Sequence, residues 1–333
     1  MYTQSIQAPA EASVARGIGF AVLSYAAFST ADAMIKVASA GYSVFQIAAT
    51  LSVFALLTVP VLTIGVGGLR ALRPRLPGLV LLRGLLTAFG ALAAWQAFAR
   101  LPLAEAYAIL FGAPILVTAL SPVLLGEQVG RRRWSAAGVG FAGVLVMIRP
   151  DFATLSAGHA FAAAAAVLGA LSFCVLRRIG SRDTSASILL FLFLSIIAVS
   201  LPLALPELVL PTPRDLLMQA VAGLLMGAGQ AGLVMATRGT PASVIAPFQY
   251  SQMIWALAYG LLLFGDRPAP VMFLGMAIVV ASGLYILWRE TVRRRPITLG
   301  AARGETIARA ARVEPPASWM RNACHAHSAP EGG

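Results

Sequence analysis

Apolar stretches of about twenty residues recur along this chain, separated by short segments that hold most of its arginines, and that rhythm limits what it can fold into. A helix rising about 1.5 Å per residue needs roughly twenty apolar residues to cross hydrocarbon about 30 Å thick. Ten such stretches lie near 17–37, 43–65, 78–99, 102–124, 133–148, 158–176, 187–206, 215–236, 241–264 and 269–288. Only 11% of the residues are charged against 59% hydrophobic, whereas a soluble domain carries about 25% charged residues. Charge cannot cover a globular surface here. The expectation is an all-α integral membrane protein of ten transmembrane helices, with the lipid bilayer as its solvent.

The net charge of +12 does not point to nucleic acid, because the arginines cluster between the apolar stretches rather than along one face. With the N-terminus in the cytoplasm and the spans alternating, inner segments hold fifteen arginines and outer loops hold Arg100, Arg149, Arg214 and Arg267. That bias predicts a multi-pass protein of the cell inner membrane with both termini cytoplasmic. Ala38-Ser39-Ala40 looks like a signal-peptidase site, but the apolar stretch before it is long and contains Asp32, so it reads as a retained first span. Cys174 and Cys324 suggest no disulfide framework.

The chain also repeats itself. ARLPLAEAYAILFGAPILVTALSPVLLGEQ (99–128) is echoed by TRGTPASVIAPFQYSQMIWALAYGLLLFGDR (237–267), and Gly126-Glu127 lies 139 residues before Gly265-Asp266. Five spans per unit is an odd number, so the two units enter the membrane in opposite senses, an arrangement that transporters use around a midplane site. These units resemble the paired EamA domains of the drug/metabolite transporter superfamily over roughly residues 17–289. The likeness rests on an apolar helix ending in VLLGE (123–127) where the family has LLLGE, the basic loop and Gly-rich helix RRRWSAAGVGFAGVLVMIRP, LLRGLLTAFGALAAWQAF and APFQYSQMIWALAYGLLLFGD; the last two are similar to the branch holding riboflavin and S-adenosylmethionine carriers. The chain departs from the family pattern in closing its second unit on Asp266 rather than Glu, and in lacking an arginine in span two. The resemblance implies a cytoplasmic segment 1–16, five-helix repeats at 17–149 and 158–289, and a tail 290–333, which composition reads as disordered.

Within the first span, Tyr25, Ser29, Asp32 and Lys36 are spaced to form one helical stripe. Polar groups at membrane depth face the bundle or a wet cavity. Two readings of Asp32 are open: an i,i+4 ion pair with Lys36 that lowers the cost of both, or a substrate and proton-coupling site. Span nine carries a second stripe, Phe248, Gln252, Trp255 and Tyr259, with Tyr250 beside it; span four offers Tyr107, Phe111, Pro114, Thr118 and Ser121. Phe111 and Tyr250 share a repeat position, so these two rings are expected to face each other. Span three adds Arg83, Trp95 and Gln96. The substrate-contact set read from the sequence is therefore Tyr25, Ser29, Asp32, Trp95, Gln96, Phe111, Tyr250, Gln252 and Trp255, an aromatic and amide lining suited to a flat amphipathic metabolite. Tyr107 and Tyr259 read as interfacial aromatics, Arg83 as a snorkelling cation, Glu105 as a helix-start acid, and Glu127 and Asp266 as loop-ordering acids.

Gly138-Val-Gly140-Phe-Ala-Gly143 matches a dinucleotide fingerprint, but no strand precedes it, so close helix packing is the better reading. Gly223, Gly227 and Ala231 form a similar small-residue face, open to packing inside the chain or between the protomers of a homodimer. Cys324, His325 and His327 make a weak metal cluster; no metal site or cofactor is expected. No G-x-S-x-G, H-E-x-x-H or Walker A motif is present, which argues against an enzyme. A secondary transporter of a small organic metabolite (riboflavin-like, S-adenosylmethionine-like or amino-acid-like) is expected, with Pro60, Pro114 and Pro247 as bending points. An intramembrane enzyme acting on lipid or isoprenoid substrates, or a non-transporting partner protein, is the alternative.

Overall fold

The computed structural model describes residues 7–64, 68–126, 131–148, 155–239, 245–266 and 270–293. Glu127, Arg149, Arg267, the tail from 294 with Cys324, His325 and His327, and the side chains of Pro114 and Pro247 lie outside the described residues. Every regular element among those described is helical: α1 Gln7–Ala38, α2 Val44–Leu56, α3 Val59–Thr63, α4 Pro77–Arg100, α5 Leu103–Leu110, α6 Ala113–Leu125, α7 Arg131–Ile148, α8 Ala157–Ile179, α9 Ser185–Ala204, α10 Pro213–Gly239, α11 Ser251–Leu263 and α12 Pro270–Arg293, with short 3-10 turns between. Among the described residues, seven segments are long and apolar enough to cross a membrane: Ala15–Ala38, Val44–Thr63, Pro77–Arg100, Leu103–Leu125, Ala157–Ile179, Ser185–Glu207 and Pro213–Ala236. Trp134–Val146 and Pro270–Ser282 are shorter apolar helices. The protein is a multi-pass membrane protein.

Prolines set the breaks. Pro60, in the first turn of α3, follows the gap after Leu56, and Pro114 follows the gap at Phe111-Gly112 between α5 and α6. Pro247 opens the 3-10 turn Ala246–Tyr250 that precedes α11. Each ring lacks an N–H and so removes one helical hydrogen bond. Pro202, by contrast, sits inside α9 without interrupting it. Glycines set the ends: Gly126 and Gly265, the matched closers of the two sequence repeats, both adopt left-handed φ, 68° and 65°, which a side chain would resist.

Helices pair in a regular order. α4 runs along α8, and α1 along α10; α4 also meets α9, as α10 meets α2; α2 packs on α9. α1 contacts α11 and its preceding turn, while α8 contacts α5 and α6. Small residues allow these approaches. A Cβ on Gly90 would press on Leu168 of α8 at 3.3 Å, and one on Gly229 would strike the Phe28 ring of α1 at 2.6 Å. Gly223 and Gly227 face α2, so their contact lies inside the chain. Two of the three fingerprint-like glycines are also packing residues: Gly140 abuts Ser282 and Ile115, and Gly143 abuts Ile278, while Gly138 has nothing within 4 Å of its Cβ position. This bears out the packing reading.

The connections gather at two ends of the bundle. At one end, Asp183 accepts from the Arg75 and Leu76 N–H groups at 2.5 and 3.0 Å, capping α4 from a distant loop, and Thr184 donates to the Ala71 carbonyl. At the other, Gln46 binds both backbone groups of Val209, donating at 2.6 Å and accepting at 3.1 Å. There Tyr42 donates to Asp215 at 2.7 Å, and this hydrogen bond pushes the tyrosine hydroxyl above its ordinary range.

Candidate functional site

Asp32 lies on α1, six residues from its end at Ala38, or about 9 Å inside. It is 6% exposed. An ionised carboxylate at that depth needs donors, and two arrive from other helices. Trp95 of α4 donates its indole N–H to Oδ1 at 3.3 Å, and Tyr107 of α5 donates its hydroxyl to Oδ2. Trp95 stands five residues before the end of α4, and Tyr107 four residues after the start of α5. The three side chains therefore meet at one level.

An aromatic series continues from Tyr107. Phe98 lies 5.2 Å from it between ring centroids, Phe111 stacks on it at 5.8 Å, and Tyr250 follows Phe111 at 5.4 Å. Phe111 ends α5 and Tyr250 ends the 3-10 turn, so these two rings meet where two apolar segments are broken. Nearby, Ser29 is fully buried and its hydroxyl lies 3.5 Å from the Gln252 carbonyl. Thr30 and Tyr259 share a hydrogen bond of 2.7 Å, fixing α1 against α11.

The residues named from the sequence thus divide. Ser29, Asp32, Trp95, Phe111, Tyr250 and the backbone of Gln252 come together. Trp255 is half-buried on the same face of α11 as Gln252 and Tyr259. Tyr25, one turn before Ser29, lies edge-on to Phe28 in an apolar cluster with Ala21, Ala236 and Ile245. Gln96 is also elsewhere: one residue past Trp95 is about 100° around the helix, and its amide accepts from Arg100, whose guanidinium covers the Phe161 ring at 5.0 Å.

Lys36 does not close an ion pair on Asp32. Its ammonium donates to the Leu101 carbonyl and lies 5.0 Å over the Phe264 ring. Leu101 ends α4, where the helix dipole is negative, so the cation finds compensation without its neighbour one turn back. Asp266 and Glu105 act on it electrostatically from further away. Glu105 is held by His159 at 2.8 Å, a tie from α5 to the start of α8 that gives this acid more than a helix-start role. Tyr107 is the residue that sequence reading missed. Its i,i+4 spacing to Phe111 was visible, but nothing local marked it as the partner of an aspartate 75 residues away.

The EamA-like transporter family model matches residues 15–149 and 156–288. A riboflavin transporter of Rhizobium johnstonii is 30% identical over 234 residues, covering 68% of this chain and 76% of that one. A second riboflavin transporter, from Vibrio cholerae, is 27% identical over 81% of this chain and 92% of its own. An S-adenosylmethionine uptake transporter of Rickettsia prowazekii is 27% identical over 67% and 76%. A solved crystal structure, 18% identical, shares the fold with a TM-score of 0.59 across 86% of this chain and 99% of that one.

Proposed function

The chain belongs to the EamA-like transporter family, and we propose that it is a secondary transporter moving a small, flat, amphipathic metabolite across the inner membrane by alternating access. The observation that carries this reading is the Asp32 carboxylate, held by Trp95 and Tyr107 beside an aromatic series that joins two broken segments. Discontinuous helices at membrane depth mark substrate sites in transporters. Aromatic faces suit a flat ring system, and a fixed acceptor suits a cationic or hydrogen-bond-donating group on it. Relatives named for riboflavin and S-adenosylmethionine transport favour solutes of that kind.

We read the architecture as ten helices in two inverted five-helix repeats, 17–149 and 158–289. Residues 139 apart play matching parts: Gly84 meets α9 where Gly223 meets α2, and Gly90 meets α8 where Gly229 meets α1. The helix pairings swap between halves in the same way. Phe111 and Tyr250, also 139 apart, touch each other, as residues beside a twofold axis must. The sidedness has its own test. In a cysteine-free background, Gly41→Cys on intact cells should react with an impermeant maleimide, and Arg73→Cys only after permeabilisation; equal labelling would defeat it.

In this mechanism Asp32 is the coupling group. Ionised, it accepts from both Trp95 and Tyr107; protonated, its hydroxyl becomes a donor, and one of those two hydrogen bonds has to change. Protonation would thereby loosen α1 from α4 and α5. Uptake of radiolabelled riboflavin, S-adenosylmethionine and amino acids into proteoliposomes tests the proposal. Saturable accumulation of a chemically unaltered solute supports a carrier, while conversion to a new product supports an enzyme. Tyr250→Ala should raise the half-saturation concentration about tenfold, the equivalent of one aromatic contact; an unchanged value removes the ring from the site.

A further inference from the structure

We propose that Arg83 forms the positive pole of an oxyanion site between α4 and α8, near the end of the bundle opposite Lys36, that takes a carboxylate or phosphate group. The residue is six positions into α4, about 9 Å from its start. It shares a helical stripe with Thr87 and Gly90, and both of these meet α8. Thr87 and Ser172 share a hydrogen bond of 2.6 Å, and Gly90 faces Leu168. On the other side of Arg83, Val80 packs with Ile179. Along α4, Arg83 therefore stands between an apolar pair and a hydroxyl pair whose members already satisfy each other.

Its own nitrogens are not satisfied. Nε and Nη1 are buried from solvent and have no hydrogen-bond partner. Among the described residues no carboxylate pairs with it. Asp183, the acid at that end of α4, is occupied by the Arg75 and Leu76 N–H groups. An arginine that snorkels carries its head into the interface and hydrates it; here two of the three nitrogens stay inside. A water molecule would supply an acceptor but not a counter-charge, and an uncompensated charge is the larger cost in a bundle surrounded by lipid. An oxyanion supplies both. The side chain as a whole is only half-buried.

Two sources carry such a group: a free anionic solute and an acidic phospholipid headgroup. Thermal unfolding of the full-length protein separates them. In phosphatidylcholine nanodiscs, titrated inorganic phosphate at constant ionic strength should raise the wild-type midpoint by about 2–4 °C and saturate, without a shift in Arg83→Gln. That result assigns a free anion. A shift seen only on replacing phosphatidylcholine with phosphatidylglycerol, and lost in Arg83→Gln, assigns a headgroup. Arg83→Lys keeps the charge but loses the planar fork, so it should respond with several-fold weaker affinity; this comparison decides the matter if Arg83→Gln does not fold. Absence of a saturable wild-type response in both arms, or responses equal in all three proteins, overturns the proposal.

Discussion

Asp32→Asn should lower uptake at least about 100-fold while leaving membrane abundance close to wild type and the unfolding midpoint only a few degrees lower. Two hydrogen bonds converge on this carboxylate, and bonds to a charged acceptor contribute about 1.5–3 kcal/mol each. Asparagine keeps one acceptor oxygen but presents an amide where the second acceptor stood, and it cannot carry a proton. Binding geometry and coupling are therefore lost together. Trp95→Phe and Tyr107→Phe each remove a single donor and should retain more transport than Asp32→Asn. Counterflow of labelled solute distinguishes the two roles: a mutant that exchanges normally but no longer accumulates has lost coupling alone. If Asp32→Asn both exchanges and accumulates at wild-type rates, Asp32 is a structural residue and the proposed site moves elsewhere.

The largest effect on stability is expected at Gly223. A Cβ placed there would run into the Leu51 carbonyl oxygen and come within 2.9 Å of the Phe54 Cβ. The obstacle is α2 backbone, which cannot rotate aside as a flexible side chain can. Gly223→Val should destabilise the protein by about 3 kcal/mol or more, the upper end of ordinary overpacking, and lower the unfolding midpoint by roughly 8 °C. Gly84→Val, at the matching position of the first half, should do nearly as much, since it abuts the Phe191 carbonyl at 3.0 Å. Gly138→Val is the control: nothing lies within 4 Å of its Cβ position. Equal midpoints for Gly223→Val and Gly138→Val would show that α10 and α2 do not approach closely through these glycines.

Much of this was legible beforehand because lipid imposes a local rule. Each residue in hydrocarbon bears its own transfer cost, so helical, membrane-spanning segments could be read without knowing any partner, and the family resemblance followed from motifs within single spans. Breaks at Pro60, Pro114 and Pro247 were legible for the same reason: the missing N–H belongs to the residue itself. The facing of Phe111 and Tyr250 came from comparing the chain with itself, and the two rings do meet.

The amino-acid order, then, determined that this chain lives in a membrane, that it is helical, and that Asp32 is a costly group requiring an explanation. Only tertiary structure decided what that explanation is. On one helix Asp32 and Lys36 are natural partners, one turn apart. Packing gives the acid to Trp95 and Tyr107 and sends the lysine to Leu101 and Phe264. Tyr25 packs in an apolar cluster with Phe28, and the Gln96 amide accepts from Arg100 one turn on, contacts that neither residue's place on its own helix announced. The physical reason is range: propensity and hydropathy act within a few residues, whereas the bonds to Asp32 span 63 and 75.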